Sequence, residues 1–322
     1  MSAAAGPRRL QGRPRLLLVA GAGRSGTSLV SGLAARLGLH IPLPEVTADE
    51  SNPKGFGEPR WVVDFHAGLL KQLNMAPEDS RPEAWELARS ASELPGPRQR
   101  LTRWLEGELA QSDRLVVKDP RLTWFVSLWA DVADDLGVDV AVLTMLRHPA
   151  ESVASRQLAY GAGSSATSRT ASWLNMMLGL EAGLGGMRRA VVAYDDLLAD
   201  WQAALAAAEE PLGLDLVAGR APEDLASAGE LVDPSLRRAA ADWDALGLPP
   251  PVRDLAERTY AALTALAAGQ VDPQALDAVR AEYADLYAWA ADLTRSRVRA
   301  ARVEERRKVR AEGKLSGGPP RP

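Results

Sequence analysis

The sequence predicts an α/β protein, a three-layer sandwich whose central parallel sheet is covered by helices on both faces. Three observations predict it. Four short Val/Leu-rich runs, at 16–20, 113–118, 138–146 and 190–194, are nearly continuous in apolar character, as strands buried on both faces are. Segments with apolar residues at helical spacing lie between them, and that alternation implies right-handed crossovers. Gly26, Lys118 and Arg147 stand at or just past the ends of the first three runs, and such sheets bind ligands at the carboxyl ends of their strands.

The elements follow in order. Residues 1–14 are rich in Pro, Arg and Gly and read as a disordered basic N-terminus. Four early arginines ahead of 16–20 invite comparison with a signal peptide, but the apolar run is too short and Arg24 interrupts it. A strand is the better reading. Helices are expected over 28–39, 61–74, 98–110, 122–136 and 151–160, where apolar spacing is helical. Beyond 208 the sequence is helical and alanine-rich, with long helices over 254–270 and 273–312. One α/β domain with a helical C-terminal part is expected over 15–295, then a basic helical or disordered tail over 296–322. Within that tail, Gly317-Gly318-Pro319-Pro320 reads as disordered.

Composition excludes several chemistries. The 322-residue chain is 46% apolar and 25% charged, enough for a sizeable core. It has no cysteine, so disulfides, thiolate zinc sites and cysteine nucleophiles are excluded, and a cytoplasmic setting is expected. The three histidines, His40, His66 and His148, lack metal-ligand spacing, so no metal is expected. No apolar run approaches the roughly 20 residues that span a bilayer. Ten Lys/Arg against three Glu from Arg295 onward, with the basic start, leave an acidic body in a chain of net charge −4. An acidic body argues against a nucleic-acid partner, and the tail reads as a solvated charged helix end.

The stretch Gly21-Ala22-Gly23-Arg24-Ser25-Gly26-Thr27-Ser28 carries the chemistry. It joins a buried strand to a helix, so backbone N–H groups and a helix dipole converge where a phosphate or sulfate would sit. It nearly spells the Walker A motif, with Gly21, Gly26 and Ser28 in place, which makes the expected fold P-loop nucleoside triphosphate hydrolase-like. Thr27 stands where the lysine should be, and Arg24 supplies a cation inside the loop. The same stretch matches G-x-G-x-x-G, but the region that should form the second dinucleotide-binding strand is Ile41-Pro42-Leu43-Pro44-Glu45, whose prolines suit a central strand poorly. Further along, Arg147-His148-Pro149 begins a helix that sets Ser155 about two turns in. Arg147 could fork onto a phosphate there while Ser155 adds a hydrogen bond.

Taken together, the glycine-rich loop, Val117-Lys118-Asp119-Pro120 and Arg147 with Ser155 resemble the sulfotransferase family that uses 3′-phosphoadenosine 5′-phosphosulfate (PAPS). Asn52-Pro53-Lys54-Gly55-Phe56-Gly57-Glu58 and Tyr194-Asp195-Asp196 resemble segments of its bacterial members, and the likeness covers roughly 15–240. The resemblance implies that Gly23, Arg24, Ser25, Gly26, Thr27 and Ser28 cradle the 5′-phosphosulfate. It implies that Arg147 and Ser155 hold the 3′-phosphate, that Arg24 and Lys118 stabilise the transferring group, and that no metal takes part. The acceptor would be a hydroxyl of a small molecule or glycan. The chain departs from the pattern of the cytosolic members: the lysine of many of them is Arg24 here, their catalytic histidine cannot be placed on a residue of this chain, and their C-terminal Arg-Lys-Gly-x-x-Gly element is absent. Leu231–Arg238 is a candidate replacement near the nucleotide.

The acceptor needs a base within hydrogen-bond reach. Glu58, just before an amphipathic helix, is the first candidate; a carboxylate favoured by the helix dipole is the alternative role. His66 is the rival base, unless it is a packed core residue. Asp119 could orient Lys118. Most of the nine tryptophans sit at helical spacing among apolar residues and read as core, with Trp61 and Trp173 placed where acceptor contact is conceivable. The Gly/Ser/Thr-rich segment 161–170 is a candidate lid. A P-loop kinase and a non-catalytic nucleotide-binding scaffold are the competing functions.

Overall fold

The computed structural model describes residues 13–49, 55–161, 163–233, 235, 237, 242–270 and 273–315. Residues 1–12, Asn52, Pro53, Lys54, Pro234, Leu236, Arg238 and 317–320, on which expectations were placed, lie outside them. Four parallel strands, β1 (Arg15–Ala20), β2 (Arg114–Lys118), β3 (Asp139–Leu146) and β4 (Arg188–Ala193), form one sheet in the order β2-β1-β3-β4. Each matches an expected run within two residues at its ends.

Alternation along the strands sends side chains to two cores, because successive residues point to opposite faces. Leu16 and Leu18 of β1, with Leu115 and Val117 of β2, face one side. There they meet α2 (Arg60–Gln72), α3 (Ala84–Arg89), α4 (Pro95–Leu109) and α5 (Leu122–Asp135). Leu17 and Val19 face the other side with Leu143 and Met145, against α1 (Thr27–Arg36), α8 (Tyr194–Ala199), α9 (Trp201–Leu212) and α10 (Pro222–Gly229). That is the three-layer sandwich expected. A third apolar cluster joins Ala22 and Leu146 to α7 (Ala166–Leu184), α11 (Pro250–Ala267) and α12 (Pro273–Leu315), the helical C-terminal region. The remaining helix, α6 (Pro149–Tyr160), follows β3.

The tryptophans pack the first core. Trp61 stacks on Phe65 and on Trp104, at 4.8 and 4.7 Å between centroids, and Trp104 meets Trp129 edge-on at 5.7 Å. Trp173 is buried in the third cluster. Neither Trp61 nor Trp173 is left bare for sugar stacking. The lid expectation also changes. Residues 166–170 are the first turn of α7, where Ser165 caps by accepting from the Ser168 N–H at 3.1 Å. Arg169 donates to the Gly161 carbonyl at 2.7 Å and fastens the short connection ahead of the helix. Helix and cap, not composition, decide that segment.

Trp104 lies between two aromatic partners, so Trp104→Ala should lower stability by about 3–5 kcal/mol. Urea unfolding followed by tryptophan fluorescence reads this; a loss under about 1 kcal/mol would show that the stack carries little of the core.

Candidate functional site

The loop between β1 and α1 is pressed against the ends of its neighbours. Gly21 has φ +134°, and a Cβ there would lie 2.7 Å from the Met145 carbonyl oxygen on β3. Gly26 has φ +94°, and its Cβ would meet the Tyr194 ring at 2.5 Å. Only glycine fits either place. The Thr123 hydroxyl of α5 bonds both the N–H and the carbonyl of Gly21 at 3.1 Å, and Ser25 Oγ donates to the Ala22 carbonyl at 2.6 Å. Gly26 is the N-cap of α1 and no side chain caps that end. The first-turn N–H groups are thus left for an anion.

Lys118 closes one side of the loop. Strand register sets it beside Val19, and its Nζ donates to Ser28 Oγ at 3.2 Å and to Glu58 Oε1 at 2.5 Å. The pair is nearly dry, with side-chain exposures of 3% and 10%. Glu58 is held there by its backbone. Its carbonyl accepts from Val46 N–H at 2.8 Å, Arg60 N–H donates to the Pro44 carbonyl at 2.8 Å, and the Ser31 hydroxyl of α1 donates to the Gly57 carbonyl at 3.2 Å. Glu58 precedes α2 as expected, yet its carboxylate is bound to Lys118 and does not cap that helix.

Arg147 closes the other side. It stacks over the Tyr194 ring at 4.6 Å, donates through Nη1 to the Arg24 carbonyl at 3.0 Å and through Nε to Glu151 at 2.9 Å. Its Nη2 is buried and has no hydrogen-bond partner among the described residues. Arg24 has φ +68°, an uncommon conformation for a side-chain-bearing residue, and its Nε donates to Ser155 Oγ at 3.2 Å. Glu151 also receives Arg237 at 2.5 Å, and Arg237 reaches Asp195 at 3.1 Å. Burial opposes the charge on Glu151, but bonds from Arg237 and Arg147 outweigh it and hold its carboxyl below the usual range. Through Glu151, Arg237 is tied to the Arg147 side of the loop.

His66 is not a free base. It is fully buried, its Nδ1 lies 2.7 Å from Asp119 Oδ2, and its Nε2 accepts from Trp129 Nε1 at 2.9 Å. Since the indole can only donate, Nδ1 carries the proton, and neither nitrogen can reach an acceptor. Asp119 therefore bonds His66 and Arg121, not Lys118. Burial pushes against its charge, yet the His66 bond and nearby Arg121 keep its carboxyl below the usual range.

The structure thus gathers the sequence candidates into two adjoining groups on one loop: Ser28, Lys118 and Glu58, and Arg24, Arg147 and Ser155. Gly23, Ser25 and Thr27 lie in the loop and the first residue of α1. Sequence reasoning missed Glu151, Tyr194, Thr123 and Arg156. Glu151 was findable, since it stands in the first turn of α6, four residues after the strand-end Arg147; Arg156 directly follows Ser155 and would contact a Cβ on Gly23 at 3.2 Å. Nothing local marks Thr123, and Tyr194 was noted only as part of the Tyr194-Asp195-Asp196 segment, without its place against the loop. Among the described residues no group of three or more His, Asp or Glu could hold a metal ion, and no helix is long and apolar enough to cross a membrane.

The sequence matches no protein-family model and no curated protein. Solved structures do resemble it. One is a sulfotransferase domain from the curacin biosynthetic pathway, 17% identical over 78% of this chain and 98% of that one, with a TM-score of 0.45. Another is a sulfotransferase domain from a Synechococcus olefin synthase, 16% identical over 87% and 98%, with a TM-score of 0.40. A third is a Mycobacterium tuberculosis sulfotransferase, 18% identical over 78% and 77%, with a TM-score of 0.40.

Asp119→Asn tests the buried pair behind Lys118. With its native carboxyl below the unfolded value near 3.9, the charge stabilises fully above that value and its contribution is lost as pH falls through the native one. The variant should be less stable by about 1–3 kcal/mol at neutral pH, and the gap should close below about pH 4. Denaturant melts across pH measure it; a gap unchanged down to about pH 2 would refute the charged form.

Proposed function

We propose that this chain is a sulfotransferase that takes PAPS as donor and sulfates the hydroxyl of a small-molecule or glycan acceptor, without a metal, in the cytoplasm. One observation carries the reading. An uncapped loop-to-helix turn is flanked by two separate cations, Lys118 on one side and Arg147 on the other. A donor bearing both a 5′-phosphosulfate and a 3′-phosphate needs two anion subsites, whereas the Walker lysine that a triphosphate would use is replaced by Thr27. The residues fit such a donor. Close packing at Gly21 and Gly26 brings backbone to the cradle, and the buried Nη2 of Arg147 lacks a partner.

Gly23, Arg24, Ser25, Gly26, Thr27 and Ser28 hold the 5′ end in this reading, and Arg147 and Ser155 hold the 3′-phosphate. Sulfuryl transfer forms a bond from acceptor oxygen to sulfur as the bond from sulfur to the bridging phosphate oxygen breaks. Charge spreads over the peripheral oxygens and builds on the leaving phosphate, so placed positive charge does most of the work. Lys118 and Arg24 supply it. Glu58 takes the acceptor proton, because His66 has both nitrogens engaged and Glu58 stands at the loop beside Lys118.

Calorimetric titration separates this reading from its rivals. Adenosine 3′,5′-bisphosphate should bind without metal and more tightly than ATP with Mg²⁺, and Arg147→Ala should weaken it by about 10- to 150-fold, the worth of a hydrogen bond to a charged group. Preference for ATP with Mg²⁺ would favour a kinase. In turnover with a panel of sugar and phenol acceptors, Glu58→Gln should lower kcat by at least about 100-fold while bisphosphate affinity stays within about threefold. Unchanged kcat would remove Glu58 as the base, and bisphosphate binding without any turnover would favour a scaffold.

A further inference from the structure

Helix α12 spans 43 residues, far longer than the mean helix of about 11. Its first turns belong to the body: Val279 and Tyr283 are buried, and Leu286 and Tyr287 pack against them. Beyond Tyr287 the helix carries large apolar side chains in the open. Trp289, Leu293 and Val303 are 62%, 56% and 47% exposed. A helix stretch with no packing partner is marginal in water, since most helical stability comes from an apolar face that is covered.

These residues share one face with a heptad spacing. Counting from Leu286, which packs on the body, as a, the a and d positions beyond it are Trp289, Leu293, Ser296, Ala300 and Val303. Val298, also exposed, falls at f and lies off the seam. Flanking charges follow the same register. Asp292 at g stands five residues before Arg297 at e, and Arg299 at g stands five residues before Glu304 at e. In a parallel two-stranded coil, g of one helix faces e of the next heptad on its partner. Both pairings are then of opposite charge, and symmetry makes each occur twice.

We infer that α12 beyond Tyr287 is the docking surface for a second copy of this chain, forming a short parallel coiled coil that joins two catalytic bodies. Asp292 sits 3.2 Å from Arg295 on its own helix, an exposed pair that gives way at little cost. The seam ends where Arg307 and Arg310 take the next a and d positions. Serine and alanine in its middle make it weak, so association should be reversible and concentration-dependent.

The full chain should sediment as a monomer–dimer equilibrium. Asp292→Arg should weaken dimerisation about tenfold by turning attraction into repulsion in both symmetric pairs, and adding Arg297→Asp should restore it. The chain has no cysteine, so Val303→Cys offers one oxidisable position. It should give a disulfide-linked dimer, because parallel d residues meet at the same level. A chain that stays monomeric at every concentration, including one whose tail binds anionic vesicles or nucleic acid as a monomer, overturns the inference. So does a dimer that ignores the charge reversal. A dimer without the disulfide overturns the parallel arrangement. Thermal melts of each variant confirm that the body is folded.

Discussion

Close packing of one loop against two strand ends is the constraint on which the rest of this molecule depends. Gly21 is confronted by the Met145 carbonyl of β3 and Gly26 by the Tyr194 ring after β4. With no room for side chains on that side, the chain must turn with its backbone and start α1 at Thr27. The register of the parallel strands does the remainder. Lys118 is level with Val19, and Thr144 with Ala20, so the residues after β2 and β3 come out beside the loop. A sheet assembled to bury Leu, Val and Ala therefore delivers its cations to one edge without any local signal that directs them there.

Putting those cations in a nearly dry place has a cost that only partners offset. An unpaired ammonium or guanidinium buried there would cost several kcal/mol, and each here has an acid beside it: Glu58 for Lys118, and Glu151 for Arg147. The two pairs differ in an informative way. Lys118 is a point charge with rotatable donors, and it divides itself between Glu58 and Ser28. Arg147 is a rigid fork: stacking on Tyr194 and two bonds fix its plane, leaving one buried edge without a partner. Under the proposed function, a fixed donor edge suits a fixed phosphate, and a movable ammonium suits a group whose charge shifts during reaction.

Much of this was legible in the sequence, and the reason lies in which interactions are local. The strands are continuous apolar runs, and a run of Val and Leu has few alternatives once it is buried on both faces. Loop, strand-end lysine and arginine are each a few residues long, so their types and spacing carry the site. The segment 161–170 looked like a loop because Gly, Ser and Thr dominate it, but only the part before Ala166 is one. From there Thr170, and Ser172 just beyond, turn their hydroxyls to helix carbonyls at 2.9 and 3.0 Å, and α7 forms. There, hydroxyls that could have competed with the helix bond its own carbonyls four residues back. The contacts of Thr123 and Tyr194 with the loop could not be read, because each acts on it from more than ninety residues away.

The same distinction decides between the two bases. On sequence alone, Glu58 ranks ahead of His66, yet both lie on or beside one helix near the expected site. What separates them is non-local hydrogen bonding. A base needs a lone pair that faces the acceptor, and His66 spends one nitrogen on Asp119 and the other on the indole of Trp129. These partners come from the end of β2 and from α5, so they stiffen the wall behind Lys118 and remove the imidazole from chemistry at once. Glu58 has the opposite situation. Its backbone is pinned on both sides while its carboxylate ends on the lysine at the loop. In the proposed reaction, proton transfer and charge stabilisation would then be adjacent, and a shift of Lys118 toward developing charge would release the carboxylate beside it to accept a proton.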